Sequence, residues 1–279
     1  MALTLGLIGY PAKHSLSPWL HSAFMDQVGI DGTYTIYETS PEALPSQLSK
    51  LKENGVDGFN VTVPYKQTIM EYLDEVEHAA KNIGAVNTVA CRDGKWIGYN
   101  TDGIGYKQSL KDSFPSLFTG QKNVLILGAG GAARGIYYAL SQGEFPKVDI
   151  ANRTKEKAKE FLSLKEKQIE TNILDYAEAE RTLSQYDLIV QTTSVGMKPN
   201  YDQQVIDLTR LSKVSIVSDI VYQPIQTKIL EAAQNRGAQI HHGHAMLLYQ
   251  AQAAFEIWTG KQVQVDSILL DLEKRLRGD

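Results

Sequence analysis

The chain has 279 residues, 43% of them hydrophobic and 22% charged, with a formal net charge of −4. That length suits one large or two modest domains, and the acidic balance argues against a nucleic-acid or anionic-membrane surface as the main partner while leaving room for a local basic pocket. A single cysteine, Cys91, rules out an intrachain disulfide and fits a reducing compartment. With no leader-like N-terminus and no apolar run long enough to span a bilayer, a cytoplasmic protein is expected.

Leu3 to Ile8 is a short apolar run closed by Gly9, Tyr10 and Pro11. Ser17 followed by Pro18 reads as an N-cap and first helical residue, with the helix continuing to about Gln27. Thr33 to Glu38 reads as a second strand, Pro41 to Glu53 as a helix and Gly58 to Val63 as a third strand, the pattern of a sheet with crossover helices. In the stretch "GFNVTVPYK" a period of two sends Asn60 and Thr62 to one face and Val61 and Val63 to the other. Pro64 stops that strand, and Lys66 falls just past its carboxyl end, where α/β proteins commonly place ligands. A helical stretch is expected from about Gln67 to Lys81, then strands Ala85 to Cys91 and Lys95 to Tyr99 around an Asp93-Gly94 hairpin turn.

Ile104 to Lys122 begins helical and breaks at Phe114-Pro115, so a domain boundary is expected near Gly103 to Gly105. A new series of strands follows at Asn123 to Leu127, Lys147 to Ala151, Asp187 to Thr192 and Val214 to Ile220, with helices between them and a last strand near Ile240. Lys155 to Thr182, polar and charged, reads as a solvated outer helix and loop. Two final helices, Ala245 to Thr259 and Val265 to Arg277, have the freedom to fold back onto the first domain. There is no internal repeat and no low-complexity segment.

"NVLILGAGGAARG" sets a buried-strand run directly before Gly128, Ala129, Gly130, Gly131, Ala132 and Ala133, a dinucleotide fingerprint with alanine in the third glycine position. Its chemistry is a tight turn, close backbone approach to a pyrophosphate and free N–H groups at a helix N-terminus. The next strand ends in Asn152-Arg153-Thr154, where an NAD-binding protein usually carries an acid for the ribose hydroxyls; Asp149 lies inside the strand rather than at its tip. An arginine between two hydrogen-bonding side chains suits a 2′-phosphate, so the expected cofactor is NADP, the alternative being a solvent-facing surface arginine.

The first half also offers Ser15 and Ser17 in "KHSLSP", Asn87 in "GAVNT", and Asn100 and Asp102 in "YNTDG". With Asn60, Thr62 and Lys66 they supply hydroxyl, amide, ammonium and carboxylate groups enough to grip a small polyhydroxy acid. Ser17 also reads as a helix cap, and Asn87 and Asp102 as turn residues.

These pieces, with "TTSVGM" at Thr192 to Met197, "DIVYQP" at Asp219 to Pro224 and "HGHAMLLYQAQAAFEIWTG" from His242 to Gly260, resemble the shikimate dehydrogenase family over Gly6 to about Gly260. The resemblance implies NADPH-dependent reduction of 3-dehydroshikimate to shikimate in aromatic amino-acid and chorismate biosynthesis. It implies Lys66 and Asp102 as the catalytic pair, and Ser15, Ser17, Thr62, Asn87, Tyr222 and Gln250 as substrate contacts. Gly128 to Ala132, Asn152 to Thr154, Gly243 and Val221 would hold NADP. The implied fold class is α/β: an N-terminal substrate-binding catalytic domain of residues 1–103 and 241–279, rejoined by the C-terminal helices, and a Rossmann-like NADP-binding domain of residues 104–240. A dual quinate/shikimate dehydrogenase and a non-catalytic NADP sensor are the competing readings. A metal site at His241, His242 and His244 is disfavoured, since no Cys or Asp cluster joins them. The partners expected are a small-molecule substrate and no nucleic acid or membrane; the oligomeric state is not legible.

Overall fold

The computed structural model describes residues 2–165 and 169–278. The chain divides into two compact units, Met1–Asp102 with Gln250–Ile268, and Gly103–Tyr249 with Leu269–Asp279.

The first unit runs β1 (Leu3–Gly9), α1 (Ser17–Val28), β2 (Gly32–Glu38), α2 (Leu44–Glu53), β3 (Gly58–Val61), β4 (Glu75–Val76), α3 (His78–Ile83), β5 (Thr88–Arg92) and β6 (Lys95–Tyr99). Its strands form one mixed sheet in the order β2-β1-β3-β5-β6-β4. β1 pairs in parallel with β2 and β3, whereas β5 lies antiparallel to both β3 and β6. The β5–β6 hairpin closes through Asp93 and Gly94 at φ 52° and 76°, the left-handed pair that matches strand twist. One face of the sheet buries Ile8, Phe59, Val61 and Val89 against Leu44, Leu48 and Leu51 of α2. All four residues of β3 are buried, Asn60 included, so the two-residue period there separates two covered faces and not a dry face from a wet one.

The second unit contains β7 (Asn123–Leu127), β8 (Lys147–Ala151), β9 (Ile173–Leu174), β10 (Leu188–Gln191), β11 (Ile216–Asp219) and β12 (Gln239–His241). Its helices are α4 (Asp102–Ser113), α5 (Gly131–Leu140), α6 (Lys155–Lys159), α7 (Tyr176–Thr182) and α8 (Lys228–Asn235), followed by α9 (Gly243–Thr259) and α10 (Asp266–Arg277). The sheet is wholly parallel, in the order β12-β11-β10-β7-β8-β9. Counted from β7 this is the doubly wound order of dinucleotide-binding folds, reversing between β7 and β10. Val124, Ile126, Leu188 and Val190 pack on one side with Ile136, Tyr137 and Leu140 of α5, while Leu125, Leu127, Ile189 and Val217 pack on the other with Ile229, Leu230 and Ala233 of α8. Both faces are covered, which is why these strands read as unbroken apolar runs.

α9 passes from the second unit into the first at Gln250. Its C-terminal half closes the first sheet: the Trp258 indole donates to the Val89 carbonyl at 2.9 Å, and Phe255 lies 5.5 Å from Phe24 of α1 between ring centroids. Among the described residues no helix is long and apolar enough to cross a membrane.

Three local expectations are corrected. Gln67 to Lys81 is not one helix but a short 3₁₀ helix at Thr68–Tyr72, then β4 and α3. The long-range pairing of Glu75 with Ile97 takes the middle of the segment into the sheet, and the Glu77 carboxylate caps α3 through the amides of Ala79 and Ala80. Lys155 to Thr182 is not wholly solvated: Phe161, Leu164, Ile169 and Ala179 are buried, and Ile173–Leu174 adds an edge strand to β8. Residues 166–168 of that stretch lie outside the described residues. Finally, the N-cap of α1 is Leu16, and Ser17 is the first helical residue; its amide donates to the Ser15 hydroxyl at 3.2 Å. Ser15, not Ser17, therefore satisfies an orphan amide of that helix.

His21 of α1 is fully buried, stacked on Tyr34 at 4.6 Å, and neither ring nitrogen has a hydrogen-bond partner. Burial lowers its pKa to about 3, with the neighbouring Asn60 side chain opposing. Because the unfolded chain binds a proton below about 6.5 that the native chain refuses, this residue removes stability as pH falls from 6.5 toward 3, at up to about 1.4 kcal/mol per pH unit. Denaturant unfolding of His21→Phe should show a loss between pH 7 and pH 5 smaller than that of the parent by about 2 kcal/mol. An unchanged loss would mean that His21 is protonated in the native state.

Candidate functional site

In the first unit the backbone past β3 is pinned before it reaches Lys66. The Thr62 amide donates to Ile8 O at 2.9 Å, the Tyr65 hydroxyl donates to the Thr39 carbonyl, and the Val86 amide donates to Lys66 O at 2.7 Å. The lysine side chain, 15% exposed, then places Nζ 2.5 Å from Oδ2 of Asp102, which is 6% exposed. Asp102 opens α4, where the helix dipole favours an anion, and its amide is held by Asn100 Oδ1 at 3.1 Å.

The other carboxylate oxygen of Asp102 accepts from Asn87 Nδ2 at 2.9 Å. The same Nδ2 lies 2.9 Å from Thr101 Oγ1 and 3.5 Å from Gln250 Oε1, while Asn87 Oδ1 accepts from the Thr101 amide at 2.8 Å and the Thr88 hydroxyl at 3.0 Å. Lys66, Asn87, Asp102 and Gln250 are thus brought together. Ser15 and Ser17 form their own pair, Oγ to Oγ at 3.0 Å, and Thr62 is half-buried beyond the end of β3. Asn60 is committed elsewhere: its Oδ1 accepts from Tyr34 Oη at 2.7 Å, and its Nδ2 faces Asn87 O and Thr88 Oγ1 at 3.2 and 3.1 Å. Its amide fastens β2 to β5. Thr101, wholly buried, was missed by sequence reasoning because a threonine between Asn100 and Asp102 reads as filler.

In the second unit Gly128 follows β7 at φ +111°. A Cβ there would stand 2.7 Å from Thr192 Oγ1 and 2.8 Å from Thr193 Cγ2, so both conformation and space demand glycine. A Cβ on Gly130 would meet nothing within 4 Å, and Gly130 caps α5 with no side-chain hydrogen bond. The α5 N-terminus therefore offers bare amides and the positive end of its dipole to open space, at the strand-order reversal where doubly wound sheets bind dinucleotides.

At the tip of β8, Asn152 Nδ2 donates to Thr154 O at 2.8 Å and shapes the loop, while Arg153 is exposed and forms no ion pair among the described residues. Asp149 is buried, accepting from Tyr186 Oη at 2.6 Å and the Asn172 amide at 2.8 Å, so it is a structural acceptor inside the sheet. Val221 is 3% exposed and Tyr222 half-buried. Gly243, at the start of α9, is glycine because a Cβ would collide with the backbone of Ile220 and stand 2.8 Å from Asp219 O.

His241 and His242 take separate hydrogen-bond partners. His241 Nδ1 pairs with Ser218 Oγ at 2.9 Å and His242 Nε2 with Gln226 Oε1 at 3.0 Å, while burial lowers the pKa of His241 and of His244 to about 4.

A doubly wound parallel sheet with a glycine turn at its reversal point defines the class of nucleotide-dependent α/β proteins. Within it, residues 7–89 match the sequence model of the shikimate dehydrogenase substrate-binding domain, 110–236 that of shikimate/quinate 5-dehydrogenase, and 243–269 that of the shikimate 5′-dehydrogenase C-terminal domain. The shikimate dehydrogenase (NADP(+)) of Oceanobacillus iheyensis is 50% identical over 280 residues, covering all of both chains. Among solved structures, the shikimate dehydrogenase of Aquifex aeolicus superposes at TM-score 0.87 with 39% identity, covering 100% of this chain and 98% of that one. The shikimate 5-dehydrogenase of Thermus thermophilus in complex with NADP(H) and shikimate superposes at 0.87 with 30% identity, covering 98% and 99%. The chain belongs to the shikimate dehydrogenase family.

Asn87 serves several partners with one amide, and its truncation strands both the Thr101 amide and a carboxylate oxygen. Asn87→Ala should lower unfolding stability by about 2 to 4 kcal/mol in urea titration, since each buried group left unsatisfied costs roughly 1 to 3 kcal/mol. A loss below about 1 kcal/mol would show that the cluster reorganises around the gap.

Proposed function

We propose that the chain is an NADP-dependent shikimate dehydrogenase that reversibly reduces 3-dehydroshikimate to shikimate, in the cytoplasm. The observation that carries the reading is the ammonium of Lys66 held 2.5 Å from Asp102 at the carboxyl end of β3. The cytoplasmic assignment is supported by the acidic composition and the single cysteine.

The second unit's residues fit NADP. Gly128 to Ala132 offer the left-handed turn, the open space at Gly130 and the bare amides of α5 for a pyrophosphate, and Arg153 offers an exposed guanidinium for a 2′-phosphate, beside Asn152 and Thr154. Val221 and Gly243 are assigned to the same cofactor on the family pattern. When bound, NADPH supplies a hydride to the substrate's ketone carbon.

Lys66 then has two tasks, stabilising the negative charge that develops on the ketone oxygen and giving that oxygen its proton. Asp102 keeps the ammonium aimed and accepts from a substrate hydroxyl; Asn87 fixes which carboxylate oxygen does each. The paired hydroxyls of Ser15 and Ser17 suit the substrate carboxylate, and Thr62, Asn87 and Gln250 suit its remaining polar groups, while Tyr222 is assigned to the substrate on the family pattern alone. Asn60 acts one step back, as a positioning residue, because its own amide is fully engaged. The direct test is loss of NADPH absorbance with 3-dehydroshikimate compared with 3-dehydroquinate; no loss with either substrate would overturn the assignment.

Lys66→Ala should lower kcat by roughly 10²- to 10⁴-fold with a much smaller change in the KM for shikimate, as expected for a group acting on the reacting atoms. Steady-state kinetics with near-normal turnover would remove Lys66 from the chemistry. Arg153→Ser should raise the KM for NADPH about ten- to hundredfold and leave that for NADH nearly unchanged, since only NADPH carries the 2′-phosphate. Equal effects on the two cofactors would assign Arg153 a structural role.

A further inference from the structure

Gln191 and Asp219 end the adjacent parallel strands β10 and β11 and face each other in register. They are 1% and 0% exposed, on the side of the sheet otherwise packed with Ile189, Val217, Leu125 and Leu127. A carboxylate in that setting must have its hydrogen bonds supplied by the protein. Asp219 Oδ1 accepts from Gln191 Nε2 at 3.1 Å and the Val221 amide at 2.9 Å, and Oδ2 accepts from the Thr227 hydroxyl at 2.6 Å. Burial still pushes its pKa up to about 7, against the pull of those donors.

Those bonds reach three separate pieces of chain. Gln191 Nε2 also faces Val195 O at 3.0 Å and Thr193 O at 3.2 Å, and its Oε1 accepts from the Thr193 amide, so it shapes the loop after β10. Asp219 shapes the loop after β11 through Val221. Thr227, the N-cap of α8, makes no side-chain capping bond because its hydroxyl is given to Asp219. All three pieces lie at the carboxyl edge of β10 and β11. In a doubly wound sheet the adenosine half of a dinucleotide lies by the first and second strands, here β7 and β8 with Arg153, and the other half lies across the reversal point, by β10 and β11.

We propose that Asp219, acting through Gln191, is a positioning residue that presets the loops after β10 and β11 to receive the nicotinamide half of the cofactor, an inference that rests on the NADP reading above. Loops ordered before binding cost less to order on binding, so loss of the network weakens the nicotinamide half alone.

The test is isothermal titration calorimetry of NADP+ and of 2′,5′-ADP, the adenosine half alone, on the full chain and its variants. Asp219→Ala strands the Val221 amide and the Thr227 hydroxyl and releases Gln191 from β11, and should weaken NADP+ about ten- to hundredfold while leaving 2′,5′-ADP unchanged. Asp219→Asn keeps an oxygen for Gln191 and Val221 and turns its NH₂ to a reoriented Thr227 hydroxyl, so it should restore nearly the parent's affinity. Thr227→Val, which removes one bond and disturbs the core least, should show the same split at smaller size, and it carries the test if Asp219→Ala does not fold. Equal weakening of both ligands, unchanged NADP+ affinity in Asp219→Ala and Thr227→Val, or an Asp219→Asn variant as weak as Asp219→Ala would each overturn the proposal. Parent protein that binds neither ligand would overturn the cofactor reading instead.

Discussion

The carboxamide of Asn87 decides the geometry of the first unit's polar cluster. Asp102 is buried, and a charge so buried persists only where its oxygens are bonded and a countercharge is near. Asn87 occupies Oδ1, which leaves Oδ2 to Lys66, and by accepting the Thr101 amide it sets the turn from which α4 departs. Its own placement comes from the sheet: it directly precedes β5, and its amide donates to Tyr99 O at 3.0 Å across the β5–β6 pair. The hairpin closed at Asp93-Gly94 thus has a chemical purpose at its far end, because it brings the "GAVNT" and "NTDG" stretches side by side.

The second unit meets its ligand by other means. Where the first unit spends side chains on a buried ion pair, the second offers backbone: a glycine that the approach of Thr192 and Thr193 makes obligatory, bare amides at the head of α5, and an arginine left in solvent. An exposed cation carries little desolvation cost before a phosphate arrives, so it adds discrimination without burdening the fold. A buried ammonium like Lys66 has the reverse balance. It suits a proton that must be delivered to one atom.

Much of this was legible in the sequence for a physical reason. Strands β7, β8, β10 and β11 are covered on both faces and so appear as apolar runs, and the glycine turn has a chemistry only glycine supplies. "FNVTVPYK" and "NTDG" pointed to Lys66 and Asp102, although only tertiary pairing put them 2.5 Å apart. What stayed hidden depended on distant partners. β4 exists because β6 accepts it as a neighbour, Phe161 and Leu164 sit among charged residues that disguise a buried stripe, and the engagement of Asn60 with Tyr34 needs two strands brought into register. Asp219 stood inside a motif already noticed, but nothing in the string "DIVYQP" says that its carboxylate reaches Thr227 and Gln191.

The buried titratable groups pull stability in opposite directions with pH. Burial lowers the pKa of His21 to about 3 and those of His241 and His244 to about 4, so each adds stability as pH rises from about 4 toward 6.5, where the unfolded chain gives up its extra protons. Asp219 acts with the other sign: its pKa rises from 3.8 to about 7 on folding, so the unfolded chain releases a proton that the native chain keeps, and stability is withdrawn across that window. Three groups against one make the net slope positive up to about 6.5. At pH 6.5 the unfolded histidines are still half protonated and together outweigh Asp219, so these four groups make the fold steadily more stable from about pH 4 to neutrality.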